Sequence, residues 1–377
     1  MARPAPRVPL VVFPEDGDVR RNPVLDTGPR GLLPATRGAL LRLRELSLSA
    51  TRRSQELEGA LHEAARAARS FAASLALALP DARGAGAYPR SPVHLYFGVR
   101  VAPLSPEQHA AQAAAILFRG LADLRHAMVD VNDIATEVEG MCAVLDSLAP
   151  SGQRRAPTAM PGHEWPGSDD GLFEPTGDGL DRWVLVHHLY ILFNLYAAAA
   201  VRAAISAISA TGGSPDAAAN LLGEAEVYVR AFSATMVHAA AVPSRYYREW
   251  IRPTMQPPAV PEPLTGELQP EHASYRSGIE DLLRSCPEPF LALTRSYPEL
   301  ALARYQLLEA DLLDIERHTL VAAALVGTDR SLVQHEQAPD NAVSTLRRMR
   351  HRRAAAYRPF TRFGDGVLLD EEEWMTR

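Results

Sequence analysis

The chain has 377 residues, of which 47% are hydrophobic and 22% are charged, so it is a globular protein able to bury one large core or two ordinary ones. Its net charge of −6 gives no reason to expect nucleic acid or an anionic membrane as a partner. The two cysteines, Cys142 and Cys286, stand far apart and form neither a disulfide framework nor a metal-binding spacing. We therefore expect a cytoplasmic protein with no signal peptide and no membrane span.

The first 148 residues predict a small, mostly helical N-terminal domain. Residues 1–35 are rich in proline, glycine and arginine and predict an irregular arm, and 36–79 have the apolar periodicity of two helices. The stretch 93–101, "VHLYFGVRV", is β-branched and aromatic and predicts the one extended segment. "SPEQ" at 105–108 has an N-cap serine followed by proline, which predicts a helix that runs to about 148.

Residues 149–181 are loaded with proline, glycine, serine and aspartate, and predict a linker or long surface loop. After residue 181 the sequence pattern changes to that of long apolar helices. The stretch 182–209 is apolar nearly all round, as expected of a buried central helix, and 214–241 predicts a second long helix. Further helices are expected near 273–285, 287–296 and 298–327. The fold class is therefore all-α, with a large helical domain over 182–377.

His318 lies in the middle of an apolar helix, "LLDIERHTLVAAALVGT". At 3.6 residues per turn it shares a stripe with Asp311, Ile315 and Ala322, and the small Ala322 leaves room for a flat cofactor. A buried imidazole needs partners on both nitrogens, and iron on one with an acceptor on the other would provide them. On spacing alone, a core histidine bonded to a backbone carbonyl or to water is the better explanation.

Two further segments carry candidate site residues. His187 and His188 interrupt the apolar central helix, either as polar groups satisfied in a groove or as the wall of a pocket with a proton-accepting imidazole. The segment "RYYREWIRP" (245–253) places aromatic side chains and Arg252 before a proline-rich loop. Such a set suits an aromatic amino acid, with apolar walls for the ring and a guanidinium for the carboxylate; an amphipathic helix end is the alternative.

In order along the chain, these segments resemble the indoleamine/tryptophan 2,3-dioxygenase superfamily of haem enzymes. The sequences that carry the resemblance are "VHHLYILFNLYAAAAVRAAISAIS", "RYYREWIRP", "ELQPEHASYRSGIEDLLRS" and "IERHTLVAAALVG", with "PRSPVHLYFGVRVAPLSPEQ" in the first half. The last of these is most similar to the pyrrolnitrin-pathway branch, whose members are monodechloroaminopyrrolnitrin synthase-like. The resemblance covers about residues 90–350.

The resemblance implies a role for each of these residues. His318 would be the axial ligand of the haem iron, and Glu280, with Asp281 as a fallback, would orient it. His187, His188, His272 and Ser274 would lie on the oxygen-binding side. Arg252 would hold the substrate carboxylate, and Tyr246 and Tyr247 would contact the aromatic ring of the substrate. Arginines in 347–353 would neutralise the haem propionates.

Two departures from the family pattern bear on the chemistry. The glycine-threonine-rich loop that follows the proximal helix in the dioxygenases is replaced here by "TDRSLVQHEQAPDNAVSTLRRM". Some tyrosine-hydroxylating relatives have a cysteine four residues after the proximal histidine, which makes a thioether to haem. Here the position is Ala322, which implies non-covalent haem b and weighs against that branch.

Three functional hypotheses follow. The first is a haem-dependent oxygenase that acts on tryptophan or a tryptophan-derived indole at the C2–C3 bond, in specialised metabolism, with dioxygen or peroxide as oxidant. The second is a haem-dependent tyrosine or phenol hydroxylase that uses peroxide. The third, of another class, is a haem-free helical scaffold or interaction protein. A homo-oligomer is compatible with each of them.

Overall fold

The computed structural model describes residues 7–15, 17, 19, 31–84, 86–149, 172–210, 213–264, 269–327 and 341–362. Within these residues the regular secondary structure is helical apart from two short strands, which confirms the predicted all-α class. Most of the predicted loop at 149–181, and the segment 328–340 that replaces the glycine-threonine-rich loop, lie outside the described residues.

The helices and strands follow one another in this order: β1 (Val11–Pro14), α1 (Leu32–Ser49), α2 (Gln55–Ser74), α3 (Pro92–Phe97), β2 (Val99–Ala102), α4 (Pro106–Leu124), α5 (Val131–Leu148), α6 (Gly179–Ser209), α7 (Pro215–Ala239), α8 (Ser244–Tyr246), α9 (Pro270–Ser285), α10 (Phe290–Ser296), α11 (Pro298–Val326) and α12 (Ala342–Tyr357). A π-helical turn, Tyr247–Ile251, and a 3₁₀ turn, Arg252–Met255, continue α8.

Helix α6 is the centre of the molecule. Its 31 residues pack against α7, α9 and α4, and its middle is buried on all sides, as predicted for an apolar helix without a polar face. By length and composition α6 could also cross a membrane, but 67% of its apolar window is buried inside the protein, as in the core helix of a soluble fold. Asp178 caps its first turn by accepting from the backbone N–H groups of Leu180 and Asp181.

The extended segment predicted over 93–101 is wrong in its first half. Ser91 accepts a hydrogen bond from the N–H of His94, and Pro92 occupies the first helical position, so α3 forms despite the β-branched and aromatic residues. Gly98, at φ 66°, ends α3 in the left-handed conformation. Only then does β2 begin, and it pairs in parallel with β1, in the arm that was predicted to be irregular.

The single helix predicted from 105 to 148 is two helices. The capping box of Ser105 and Gln108 begins α4 as predicted, but α4 ends at Leu124. Asp130 then starts α5 by accepting from the N–H of Asn132. The break carries no proline or glycine, so the sequence lacks the usual signal for it.

One hydrophobic cluster extends from Val11 to Tyr357 and includes helices from both halves of the chain. Helix α5 packs on α7, and α4 packs on α6, across the proposed boundary. The division into 1–148, 149–181 and 182–377 therefore stays a prediction, while the described helices on its two sides share one core.

A buried ionic cluster connects four helices near the start of α6. His238 of α7 is fully buried, with Nδ1 3.0 Å from Glu137 Oε1 on α5 and Nε2 3.1 Å from Asp123 Oδ2 on α4. Arg182 of α6 donates to the same Asp123 oxygen at 2.6 Å. Burial alone would lower the pKa of His238, but the carboxylates of Glu137 and Asp123 outweigh it and raise that pKa to about 9. His238 is therefore an imidazolium that donates from both nitrogens.

Candidate functional site

One face of α6 carries the polar and aromatic groups of the site. Trp183, His187, Tyr190 and Asn194 follow one another at intervals of four, three and four residues, which places them on one side of the helix. The first three are half-buried in a helix that is otherwise almost wholly buried. This face is turned toward α9, α11 and the turn after α8, so the site lies where these elements meet α6.

His187 is held in one tautomer. Its Nδ1 donates to the carbonyl oxygen of Trp183, one turn earlier, so its Nε2 is left as a lone pair. The ring stacks on Phe97 of α3 at 4.1 Å between ring centroids, with the planes 13° apart. Burial, and then the charge of His318, lower the pKa of His187 to about 4 despite the Trp183 carbonyl. His187 is therefore a neutral imidazole with Nε2 able to accept a proton.

His272 approaches the same helix face from the first turn of α9. Its Nδ1 lies 3.2 Å from Asn194 Oδ1, and the Asn194 amide nitrogen donates to the Tyr190 carbonyl at 2.9 Å. The Asn194 oxygen must therefore accept, His272 Nδ1 carries the proton, and Nε2 is again a lone pair. Burial, and then Arg353, lower the pKa of His272 to about 3.

His318 lies on α11 and has no hydrogen bond to any of the described residues. Burial, and then the positive charge of Arg353, lower its pKa to about 4. Protonation of His318 would in turn lower the pKa of both His187 and His272, so each of those two rings lies within electrostatic reach of His318. In the described part of the chain no three histidine, cysteine or acidic side chains could hold a bare metal ion together. A haem iron, by contrast, needs only one protein ligand.

A cationic cluster lies beside His318 and His272. Arg276 of α9 binds Asp311 at 2.6 Å, and Arg353 of α12 approaches the same carboxylate at 3.4 Å. Tyr357 donates to Asp311 at 2.8 Å, which satisfies that oxygen further. Among the described residues Arg353 pairs only with Asp311, which it shares with Arg276. Because its charge also acts on both histidines, Arg353 is the cation of this cluster best placed for an anionic cofactor group.

Asp314 stands one turn before His318 and is 4% exposed, with its Oδ1 buried and without a partner. Burial, and then the neighbouring Asp311, raise its pKa to about 7. It also raises the pKa of Tyr190 across the gap between α11 and α6. The sequence reading missed Asp314, because an acid that flanks an apolar stripe is usually solvent-exposed.

The π-helical turn brings Tyr247 and Arg252 together. The backbone N–H of Arg252 bonds to the carbonyl of Tyr247, five residues earlier, so the two residues lie one above the other along the turn. Tyr247 is 6% exposed and Arg252 is 7% exposed. The Tyr247 ring meets Trp183 of α6 edge-on at 5.3 Å between centroids. An α-helical turn would have moved Arg252 away from Tyr247.

Four of the residues predicted for the site point elsewhere. His188 Nε2 donates to the Phe97 carbonyl at 2.6 Å, so His188 supports α3 and faces away from His187. Tyr246 packs on Gly179 at the start of α6 and stacks on the exposed Trp250. Ser274 is exposed and accepts from Arg202. Glu280 is exposed on α9 and makes no hydrogen bond to His318, so the structure does not bring it to that ring.

The chain matches the model of the SfmD 3-methyl-L-tyrosine peroxygenase family over residues 24–303, about three quarters of its length. The chain belongs to this family. It is therefore a haem-dependent oxidoreductase, which excludes the haem-free scaffold hypothesis. The family is related to the superfamily that the sequence resembles, whereas the pyrrolnitrin-pathway branch stays a prediction. Neither a curated protein nor a solved structure gives a significant match.

Proposed function

We propose that this chain is a haem-dependent peroxygenase for a tyrosine-type amino acid. In the reaction, one oxygen atom of hydrogen peroxide is inserted into a C–H bond of the phenol ring, and the other leaves as water. The observation that carries the proposal is the run of ring contacts along one face of α6, from Tyr247 through Trp183, His187 and Tyr190 to His272. His318 lies within electrostatic reach of both imidazoles in this run. The family's name supplies the substrate, 3-methyl-L-tyrosine.

The residues of the site fit a haem. His318 offers a neutral imidazole whose nitrogens make no hydrogen bond to the described residues, so one nitrogen lone pair is available to the iron. Arg353 is a cation within reach of that imidazole and suits a propionate. When bound, the haem supplies the oxidising chemistry, and the protein binds, orients and shields the reactants. Ala322 leaves no cysteine for a thioether, so we infer non-covalent haem b.

His187 is the residue that we assign to proton transfer. Its Nε2 lone pair can accept the first proton of peroxide and later return it to the departing hydroxide, which leaves as water. Trp183 fixes the ring through Nδ1, and Phe97 fixes its plane by stacking. His272 has the same tautomer, so it is the second candidate for this role.

Arg252 and Tyr247 are assigned to the substrate. The Arg252 guanidinium would hold the α-carboxylate, and the Tyr247 and Trp183 rings would flank the phenol. The hydroxyl groups of Tyr96 on α3 and Thr254 on the 3₁₀ turn share a hydrogen bond of 2.7 Å, which fixes the turn to α3. Tyr246, predicted as the second ring contact, instead packs against the start of α6.

The hypothesis favoured by the sequence, oxygen insertion into tryptophan or an indole, is less well supported than its alternative. The family match favours peroxide and a phenolic substrate. Ala322 weighed against that branch, but the matched residues end at 303, before the helix segment that carries His318 and Ala322. The absence of a cysteine therefore bears on how haem is attached and leaves the family unchanged. Cytoplasmic location and oligomeric state stay predictions.

Turnover of a substrate panel tests the function. The holoprotein is supplied with hydrogen peroxide and, separately, with 3-methyl-L-tyrosine, L-tyrosine and L-tryptophan. We expect a product that is one oxygen atom heavier from the two phenols, measured by mass spectrometry, and little from tryptophan. Oxidation of tryptophan alone would support the indole hypothesis instead.

A variant of Arg252 tests the binding mode. Arg252→Met is expected to weaken binding of the phenolic amino acid by about 1.5–3 kcal/mol, the range for a hydrogen bond to a charged group, or roughly 10- to 150-fold in Kd. The Kd is measured from the substrate-induced change in the haem spectrum. Arg248→Met is the matched control, because Arg248 lies on the same turn but is exposed. Equal Kd values for Arg252→Met and wild type would remove Arg252 from the pocket.

A further inference from the structure

Arg119 is a buried guanidinium with no carboxylate partner among the described residues. It lies in α4, within a run of sixteen buried residues from His109 to Leu124, and is 5% exposed. Its Nε and Nη1 have no hydrogen-bond partner. Burial lowers the pKa of Arg119 to about 10, with no carboxylate to oppose it, so the group is still charged at neutral pH.

Other buried arginines in the described part of the chain are compensated. Arg182 donates to the Asp123 carboxylate at 2.6 Å and to the Ala241 carbonyl at 2.7 Å. Arg304 donates to the carbonyls of Cys286 and Glu288 at 2.6 and 2.7 Å. A buried charge is tolerated when it is paired and hydrogen-bonded, and an isolated one is strongly disfavoured. The environment of Arg119 therefore lacks an anion.

His188 has a buried acceptor nitrogen that also lacks a hydrogen-bond partner. Its Nε2 donates to the Phe97 carbonyl, so its Nδ1 is a lone pair, and that buried atom has no partner either. The two groups lie on facing helices, because Gly120, next to Arg119, packs against Leu189, next to His188. The positive charge of Arg119 also lowers the pKa of His188. A water that donates one proton to Nδ1 and the other to an anion on Arg119 would satisfy both.

We propose that Arg119 binds one small monovalent anion of halide size between α4 and α6, on the His188 side of α6. The site is separate from the His187 face, because consecutive residues of an α-helix point about 100° apart and His187 is bonded to the Trp183 carbonyl on its own face. The anion must be small, because every residue of α4 from His109 to Leu124 is buried. Gly120, which follows Arg119, packs against Leu189 of α6 and leaves little space between the two helices. Its effect would be on stability, since the anion cancels the buried charge only in the folded state.

The test is the thermal unfolding midpoint of the full-length holoprotein as chloride replaces gluconate at constant ionic strength. For wild type we expect a midpoint that rises with the logarithm of the chloride concentration above Kd and is about 3 °C higher at 100 times Kd. Arg119→Met should show no such rise. In gluconate the variant should unfold at or above the wild-type midpoint, because it has lost an uncompensated charge, and in chloride the order should reverse.

Arg44→Met is the matched control, because Arg44 is a partly exposed arginine that is already paired with Glu139 at 2.8 Å. It should keep the full chloride response. Parallel curves for wild type and Arg119→Met, or a wild-type midpoint that ignores chloride, would overturn the proposal. Should Arg119→Met fail to fold, crystals of wild type grown in sodium bromide decide the matter. An anomalous bromide peak beside the Arg119 guanidinium supports the site, and its absence rejects it.

Discussion

Replacing His238 with alanine is expected to lower the free energy of unfolding by about 3–5 kcal/mol, the range for breaking a buried ion pair by removing one partner. The variant leaves two buried carboxylates, Glu137 and Asp123, and among the described residues Arg182 is the one cation left to compensate them. Urea denaturation at pH 7 measures the effect. The control is the double variant His238→Gln/Glu137→Gln, which removes one cation and one anion and should recover part of the loss. A loss below about 1 kcal/mol in the single variant would show that the cluster is not a network of charges.

The same residue makes stability depend on pH. The pKa of His238 in the folded protein is about 9, above the ordinary value of 6.5, so its contribution is complete below about pH 6.5 and is lost as the pH rises through 9. At about 1.4 kcal/mol per pKa unit the loss is on the order of 3 kcal/mol. Asp123 has a lowered pKa, so its contribution is lost at the acid end instead. Urea midpoints from pH 6 to 10 should fall for wild type and fall less for His238→Gln.

His318→Ala is expected to remove the axial ligand and to weaken haem binding by more than about 100-fold, beyond the 10- to 100-fold loss typical of residues that only support a ligand. The reason is that His318 is a neutral imidazole within electrostatic reach of Arg353, and the described residues offer it no hydrogen bond. Haemin titration followed by absorbance gives the affinity, and electron paramagnetic resonance of the ferric protein reports the axial imidazole.

Two controls separate ligation from folding. His351→Ala removes an exposed histidine of α12 and should bind haem like wild type. In His318→Gly, added imidazole should enter the space left by the side chain and restore the axial signature. Wild-type spectra from His318→Ala would move the ligand to another residue, and His187 and His272 would be the first to test.

The sequence was informative where one feature dominated locally. The apolar runs at 182–209 and 214–241 became α6 and α7, and the buried position of α6 follows from its lack of a polar face. At 93–101 two local signals conflicted, because β-branched residues favour a strand while Ser91 and Pro92 begin a helix. The cap prevailed, since it satisfies an N–H group that would otherwise have no partner.

Contacts between distant segments explain most of what the sequence could not reveal. The Phe97 carbonyl on α3 accepts a hydrogen bond from His188, so His187 is the one of the two histidines that faces the site. The sequence does not show that contact. The π-helical turn after α8 keeps Arg252 beside Tyr247, and an extra residue per turn leaves no mark in the sequence pattern. Arg353 and Asp311 meet only because α12 folds back on α11.

The most direct measurement of the central claim is the source of the inserted oxygen. The holoprotein is incubated with 3-methyl-L-tyrosine and ¹⁸O-labelled hydrogen peroxide in the absence of dioxygen, and the product is weighed by mass spectrometry. The account predicts a hydroxylated amino acid that carries one ¹⁸O atom, and no such product from His318→Ala. An unlabelled product, or turnover only when dioxygen is admitted, would contradict the assignment as a peroxygenase.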